Sequence, residues 1–293
     1  MRIEHVRQTI ATALLLAVAG AALIAHDFWI EPSTFTPAVN TAVRVRLMVG
    51  DHFVGEALPR NDGRIERFFA VGPDGTARDI AGRHGIDPAG VVRFDAPGLY
   101  LLGYHGRPSA VNLDAAKFEA YLVEEGLEHI SRERAARGET GKPGREQFAR
   151  SVKTLIRAGT PASAGGYDRA IGLPLEIIPE ADPFAADLRQ LPVRLLFDGR
   201  PVEGALVVAM RQATSSGAKG EVLSSARTNG DGRALLRIAP GVLLVKAVRM
   251  ERAPSGSEAD WSSTWTSLTL ATEVADRRPR IENHDQSDRP RRP

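Results

Sequence analysis

Short alternating runs of apolar and polar residues, broken by turn signals roughly every 8 to 12 residues, constrain this chain more than any other feature. Between Thr41 and Val49, the side chains of Val43, Val45, Leu47 and Val49 fall on one face and Arg44 and Arg46 on the other, which predicts a half-buried strand. Arg64–Val71 and Thr76–Ile80 are strand-like and flank Gly72-Pro73-Asp74-Gly75, a strong turn sequence. Val91–Phe94 leads into Asp95-Ala96-Pro97-Gly98-Leu99-Tyr100 and then Leu101–Tyr104. Residues 26–110 are therefore expected to form a small antiparallel β-sandwich.

The pattern changes after residue 110. Asp114 suits a helix N-cap, Phe118, Tyr121 and Leu122 follow at helical spacing, and Gly126 suits a helix end. Leu127–Arg137 and Arg145–Ala158 continue the helical reading, with Phe148, Val152, Leu155 and Ile156 on one stripe, so residues 111–160 are expected to be a helical insert. A small-residue linker, Gly159–Gly166, follows, and strands return from Leu173. The order Gly199-x-Pro201-Val202-x-Gly204-Ala205, Thr228-Asn229-Gly230-Asp231-Gly232-Arg233-Ala234 and Pro240-Gly241-x-Leu243-Leu244-Val245-Lys246-Ala247 resembles transthyretin-like or carboxypeptidase-regulatory modules. The turn before Tyr100 resembles the tyrosine corner of immunoglobulin-like sandwiches. The expected fold is mainly β: two β-sandwich domains, 26–110 and 161–275, of immunoglobulin-like and transthyretin-like type, with the helical insert between them. Asn229-Gly230-Asp231-Gly232 reads as a hairpin turn, because two oxygen-bearing side chains with no acidic partners downstream fall short of a calcium loop.

The N-terminus fixes the compartment. Arg2 and Arg7 precede an uncharged run, Ile10–Ala25, that is short for a membrane span and ends in small residues. Residues 1–25 are read as a cleavable signal peptide, with the mature protein in the periplasm and not stably inserted in a membrane. The chain has no cysteine, so in an oxidising compartment hydrophobic burial has to supply the stability that disulfides often provide. The net charge is +2, and loss of Arg2, Glu4 and Arg7 leaves +1, which makes no case for a nucleic-acid partner. Residues 276–293, rich in Arg and Pro, read as a disordered tail.

No nucleophile elbow, phosphate loop, dinucleotide fingerprint or His-Glu-x-x-His pattern is present. His26 is the informative residue. Cleavage after Ala25 would make it the mature N-terminus, and its α-amine and imidazole could then chelate one ion. Such nitrogen donors suit copper(II), nickel(II) or cobalt(II). A second imidazole is sought from His52, in a polar loop after a strand, or His105, at a strand end. Asp27, Asp51 and Glu56 are candidate oxygen ligands or orienters of the imidazoles. Trp29, Trp261 and Trp265 suit core packing better than a sugar-binding platform.

Several blocks together resemble a family of secreted bacterial proteins of unassigned function, commonly described as the periplasmic component of cobalt or nickel uptake systems. They are Ala25-His26-Asp27-Phe28-Trp29-Ile30-x-Pro32, Gly50-x-His52-Phe53-x-Gly55-Glu56, Lys117-Phe118-x-x-Tyr121-Leu122-x-Glu124-Glu125-Gly126-Leu127, Gly172–Pro179 and Asp260-Trp261-x-Ser263-x-Trp265. The resemblance implies a periplasmic, metal-associated binding protein with β-sandwich domains, with His26 and His52 as the positions carried over; the leading expectation is a non-enzymatic binding module that passes its ion to an inner-membrane metal transporter. A single His52 after Asp51, where nickel-type members are expected to have a histidine-rich loop, argues against strong nickel affinity. Two other expectations stand beside it: a mononuclear copper protein or oxidoreductase built on the same N-terminal histidine, and a scaffold or carbohydrate-binding protein that uses no metal.

Overall fold

The computed structural model describes residues 26–160, 165–185, 188–215 and 217–272. The expected signal peptide and tail lie outside them, as does part of the linker. The first half contributes β1 (Asp27–Pro32), β2 (Ala42–Asp51), β3 (Val54–Leu58), β4 (Ile65–Val71), β5 (Ala77–Asp79), β6 (Gly90–Arg93), β7 (Gly98–Gly106) and β8 (Ser109–Leu113). Two helices follow, α1 (Ala115–Glu124) and α2 (Glu128–Ala136), and then β9 (Gly144–Ala158). The second half contributes β10 (Leu175–Pro179), β11 (Gln190–Phe197), β12 (Arg200–Pro201), β13 (Leu206–Arg211), β14 (Glu221–Arg227), β15 (Arg233–Arg237), β16 (Gly241–Arg252) and β17 (Trp261–Thr272).

These strands form three sheets. A nine-stranded sheet runs β14-β13-β16-β17-β9-β7-β4-β5, with β8 also on β9. One four-stranded sheet (β1-β2-β3, with β6 on β2) covers one of its faces, and the other (β10-β11-β12, with β15 on β11) covers the opposite face. The period-2 alternation of strands allows this, because successive side chains leave opposite sides of the large sheet. Along β7, Tyr100, Leu102 and Tyr104 pack with Phe28, Ile30 and Val49 of the first small sheet. Leu99 and Leu101, one residue out of phase, pack with Leu175, Leu191 and Leu195 of the second. Two sandwiches thus share a continuous middle layer, and the fold is mainly β with sandwich packing, as expected.

Residues 144–158 correct the sequence reading. They form β9, a strand of 15 residues, where a helix was expected. Val152 and Ile156 enter one core and Leu155 the other, so β9 is buried on both faces. A strand buried on both sides has no clean alternation, and its apolar positions mimic a helical stripe. β-branched Val152, Thr154 and Ile156 favour the extended form. Among the described residues the helices are α1 and α2. Phe118, Tyr121 and Leu122 of α1 pack on Val248, Met250, Trp261 and Trp265 of β16 and β17. Gly126, at φ +69°, takes the left-handed conformation that ends α1 without a Cβ penalty.

The tyrosine corner is present: the Tyr100 hydroxyl donates to Ala96 O at 3.0 Å, and Ala96 N donates back to the same oxygen at 3.3 Å. Asn229 Oδ1 accepts from the backbone N–H of Asp231 and Arg233, and Gly232 sits at φ +74°, which closes the turn between β14 and β15. In the second core, Lys153 Nζ lies 2.8 Å from Glu176 Oε1, and the same carboxylate accepts from the N–H of Ile171 and Leu173. Among the described residues no helix is long and apolar enough to cross a membrane.

A candidate metal site at the start of the first strand

β1 stands with its free edge on the large sheet: the hydroxyls of Ser267 and Thr269 on β17 donate to Phe28 O and Ile30 O, each at 2.8 Å. Its two faces therefore meet different neighbours. Phe28 and Ile30 face the first core, while Trp29 packs against Met48, Phe53, Met210 and Leu244. Asp27 shares the Trp29 face and points at β16.

That placement decides what Asp27 can do. Its carboxylate is 4% exposed and lies 2.7 Å from Lys246 Nζ, which also sits 3.0 Å from Glu125 Oε1 at the end of α1. Two buried carboxylates thus share one ammonium, with Arg150 adding a more distant positive charge at Asp27. Burial pushes the Glu125 pKa up to about 7, opposed by Lys246 and reinforced by Asp27. Burial disfavours the Lys246 ammonium, but the Glu125 and Asp27 carboxylates outweigh it and raise its pKa above the ordinary lysine value. With one oxygen held by Lys246, Asp27 braces the start of β1 rather than facing a site beside His26. The sequence signal for this triad was a lysine inside the apolar run Leu243-Leu244-Val245-Lys246-Ala247, since a lysine there needs a buried counter-charge.

β1 and β2 pair with Asp27 opposite Gly50, which sets His26 beside Asp51. β2 and β3 are joined by the two residues His52 and Phe53, at φ +51° and +58°. Two left-handed residues in a two-residue hairpin make a type I′ turn, a conformation that favours Asn-Gly. Placing a histidine and a phenylalanine there costs of order 1–3 kcal/mol each. The turn is held by the Phe53 ring, edge-on to Trp29 at 5.3 Å, and by Gly220 N donating to His52 O at 2.7 Å. The result is a tethered turn that carries His52 at the end of β2, the strand paired with β1.

His52 Nδ1 lies 2.7 Å from Asp51 Oδ1, a close contact that lacks the direction of a good hydrogen bond. Partial burial works against the Asp51 carboxylate, but His52, Lys219 at 3.7 Å and His26 together hold its pKa below the usual range. His26 is half-buried, and its Nδ1 is shielded from solvent without a hydrogen-bond partner. An orphaned ring nitrogen suits a metal-donor role.

The other candidates lie apart. His105 is out of phase with Tyr104 and so projects from the opposite face of the large sheet, where Nδ1 is 3.0 Å from Ser151 Oγ and Nε2 3.4 Å from Glu66 Oε2. Glu56 is exposed on β3 opposite Val49. Thus Asp51 contacts His52 and lies within electrostatic reach of His26, Asp27 is engaged elsewhere, and His105 and Glu56 are not part of the group. Among the described residues no three His, Cys, Asp or Glu side chains are placed to hold a metal ion. Trp29, Trp261 and Trp265 are all buried, so they form no surface platform for sugars.

No curated protein matches the sequence. Among solved structures, the D0-D1 domain of Intimin aligns over 83% of this chain and 97% of its own at 12% identity, with a TM-score of 0.20. Dimeric latent PorU from Porphyromonas gingivalis aligns at 11% identity over 84% of this chain and 20% of its own, with a TM-score of 0.19. The Parabacteroides merdae beta-glucuronidase aligns at 12% identity over 84% of this chain and 24% of its own, with a TM-score of 0.19. Likenesses this loose say nothing about function. A family model does match, over residues 23–251, from just before His26 to the end of β16. The protein belongs to the family described as a domain of unknown function, DUF4198.

Proposed function

We propose that this protein binds a divalent transition-metal ion in the periplasm, nickel or cobalt with copper as the alternative, and serves as an accessory component of a metal uptake system. The observation that carries the reading is the buried, unpartnered Nδ1 of His26 beside the strained turn that presents His52. The donors are the α-amine and ring of His26, freed by cleavage after Ala25, and the ring of His52. Since Asp27 is paired with Lys246, the protein donors are nitrogens, a set that suits nickel(II), cobalt(II) and copper(II) better than magnesium or calcium. Asp51 orients the His52 ring and offsets charge on a bound cation. Both rings and the amine must be deprotonated to bind, so affinity falls as the pH is lowered.

Mass spectrometry of exported protein, followed by calorimetric titration with nickel, cobalt and copper, tests the reading. The expected results are a mature chain beginning at His26, one ion bound, and loss of that binding in His26→Ala. A mature chain beginning elsewhere, or equal affinity in His26→Ala, overturns it.

A further inference from the structure

A concave site lies beside β1. A cavity of about 620 Å³ opens where Phe28 and Leu47 of the first small sheet face Tyr104, Phe148 and Arg150 of the large one. Its size suits a small organic molecule. Its floor is apolar and aromatic, and its polar lining is one-sided. Arg60, Arg64, Arg107 and Arg150 line it, together with His84, and among its described lining residues there is no Asp or Glu.

The four guanidinium groups differ in role. Arg60 is a fixture: Nη1 donates to Ile80 O and Ala89 O, each at 3.0 Å, and Nε to Asp62 Oδ1 at 2.6 Å. Arg64 and Arg107 are exposed at the rim, and Arg64 Nη1 donates to Ser109 Oγ. Arg150 reaches inward, its guanidinium carbon 4.8 Å from the Phe28 ring centre and 5.4 Å from that of Phe148. Burial pushes its pKa down to about 10, against the pull of Tyr104 and Asp27, so it is still a cation at neutral pH. Held against the two rings, Arg150 adds positive charge to the cavity wall, while Arg64 and Arg107 at the rim carry the planar guanidinium groups that suit a carboxylate. Focused positive charge over an apolar floor selects a molecule that is anionic at one end and apolar at the other.

We propose that this cavity binds a small organic carboxylate with an aromatic or branched apolar body, the body against Phe28, Tyr104 and Phe148 and the carboxylate at the rim between Arg64 and Arg107, with Arg150 adding positive charge. The site is independent of the metal reading, because none of these residues is a proposed metal donor.

The test is calorimetry on the exported protein in EDTA, with naphthalene-2-carboxylate and its neutral twin naphthalene-2-carboxamide as probes. The carboxylate is expected to bind about tenfold or more tightly than the amide, a gap of about 1.4 kcal/mol. Arg64→Gln combined with Arg107→Gln is expected to weaken carboxylate binding about tenfold and to leave the amide unchanged. Arg150 is kept intact in this test, since removing it would unpack Phe28. Lys219→Gln, outside the cavity, is the control for general charge and is expected to change nothing. Carboxylate binding that is absent at millimolar concentration, matched by the amide, insensitive to the double variant, or equally weakened in the control overturns the proposal.

Discussion

The Asp27–Lys246–Glu125 triad makes stability depend on pH in a direction opposite to most carboxylates, and Glu125→Gln exposes it. Glu125 is 6% exposed, and its pKa stands at about 7 in the fold against an ordinary 4.5. A carboxyl whose folded pKa is raised binds its proton more tightly in the native state than in the unfolded one. Its contribution is complete below the unfolded value and is lost as pH rises through the folded value. The interval from 4.5 to about 7, at about 1.4 kcal/mol per decade of proton affinity, corresponds to roughly 3 kcal/mol. Lys246, raised above the ordinary lysine value, titrates well above this window. Glutamine mimics the protonated acid and has nothing to lose. Urea unfolding of both proteins at pH 5 and pH 8 separates the effect from every other titrating group. The wild type is expected to lose up to about 3 kcal/mol more than Glu125→Gln between the two pH values. The variant is expected to be the more stable of the two at pH 8. A variant that tracks the wild type at both pH values, or that is less stable at pH 8, would refute the assignment of Glu125 as a buried, proton-retaining acid.

Three further outcomes follow from contacts already described. Lys153→Met strands the Glu176 carboxylate in the second core and is expected to cost about 3–5 kcal/mol, read as a lowered urea midpoint. Tyr100→Phe removes the hydroxyl that bridges Ala96 and is expected to cost about 1 kcal/mol by the same assay. His52→Asn puts a residue tolerant of the left-handed region into the β2–β3 turn, so thermal unfolding should shift by no more than about 0.5 kcal/mol in stability, or show a gain, while metal binding by calorimetry falls.

Local chemistry made much of the fold legible. The alternation of Val43, Val45, Leu47 and Val49 and the turn before Tyr100 each depend on a few neighbouring residues, and both appear as expected. β9 was not legible, because its two buried faces belong to two different cores, and only the tertiary arrangement tells a doubly covered strand from an amphipathic helix. The same distinction runs through the site. His26 and His52 stand out in the sequence by position and residue type. That Asp27 would be engaged by Lys246, more than 200 residues away, and that His105 would project from the far side of the sheet depend on strand register and phase. The left-handed turn at His52-Phe53 was hidden for another reason: its residues are poor turn formers, held in place by Trp29 and Gly220.

The parallel ladder between β9 and β17, from Trp261 opposite Glu146 to Thr269 opposite Thr154, knits the two halves into one body with no hinge between them. Among its described residues a protein built this way has no clamshell to shut over a ligand. If it holds a metal ion as proposed, the ion would be gripped by groups already in position, and release would come from protonation or from a competing set of donors, not from lobes swinging apart.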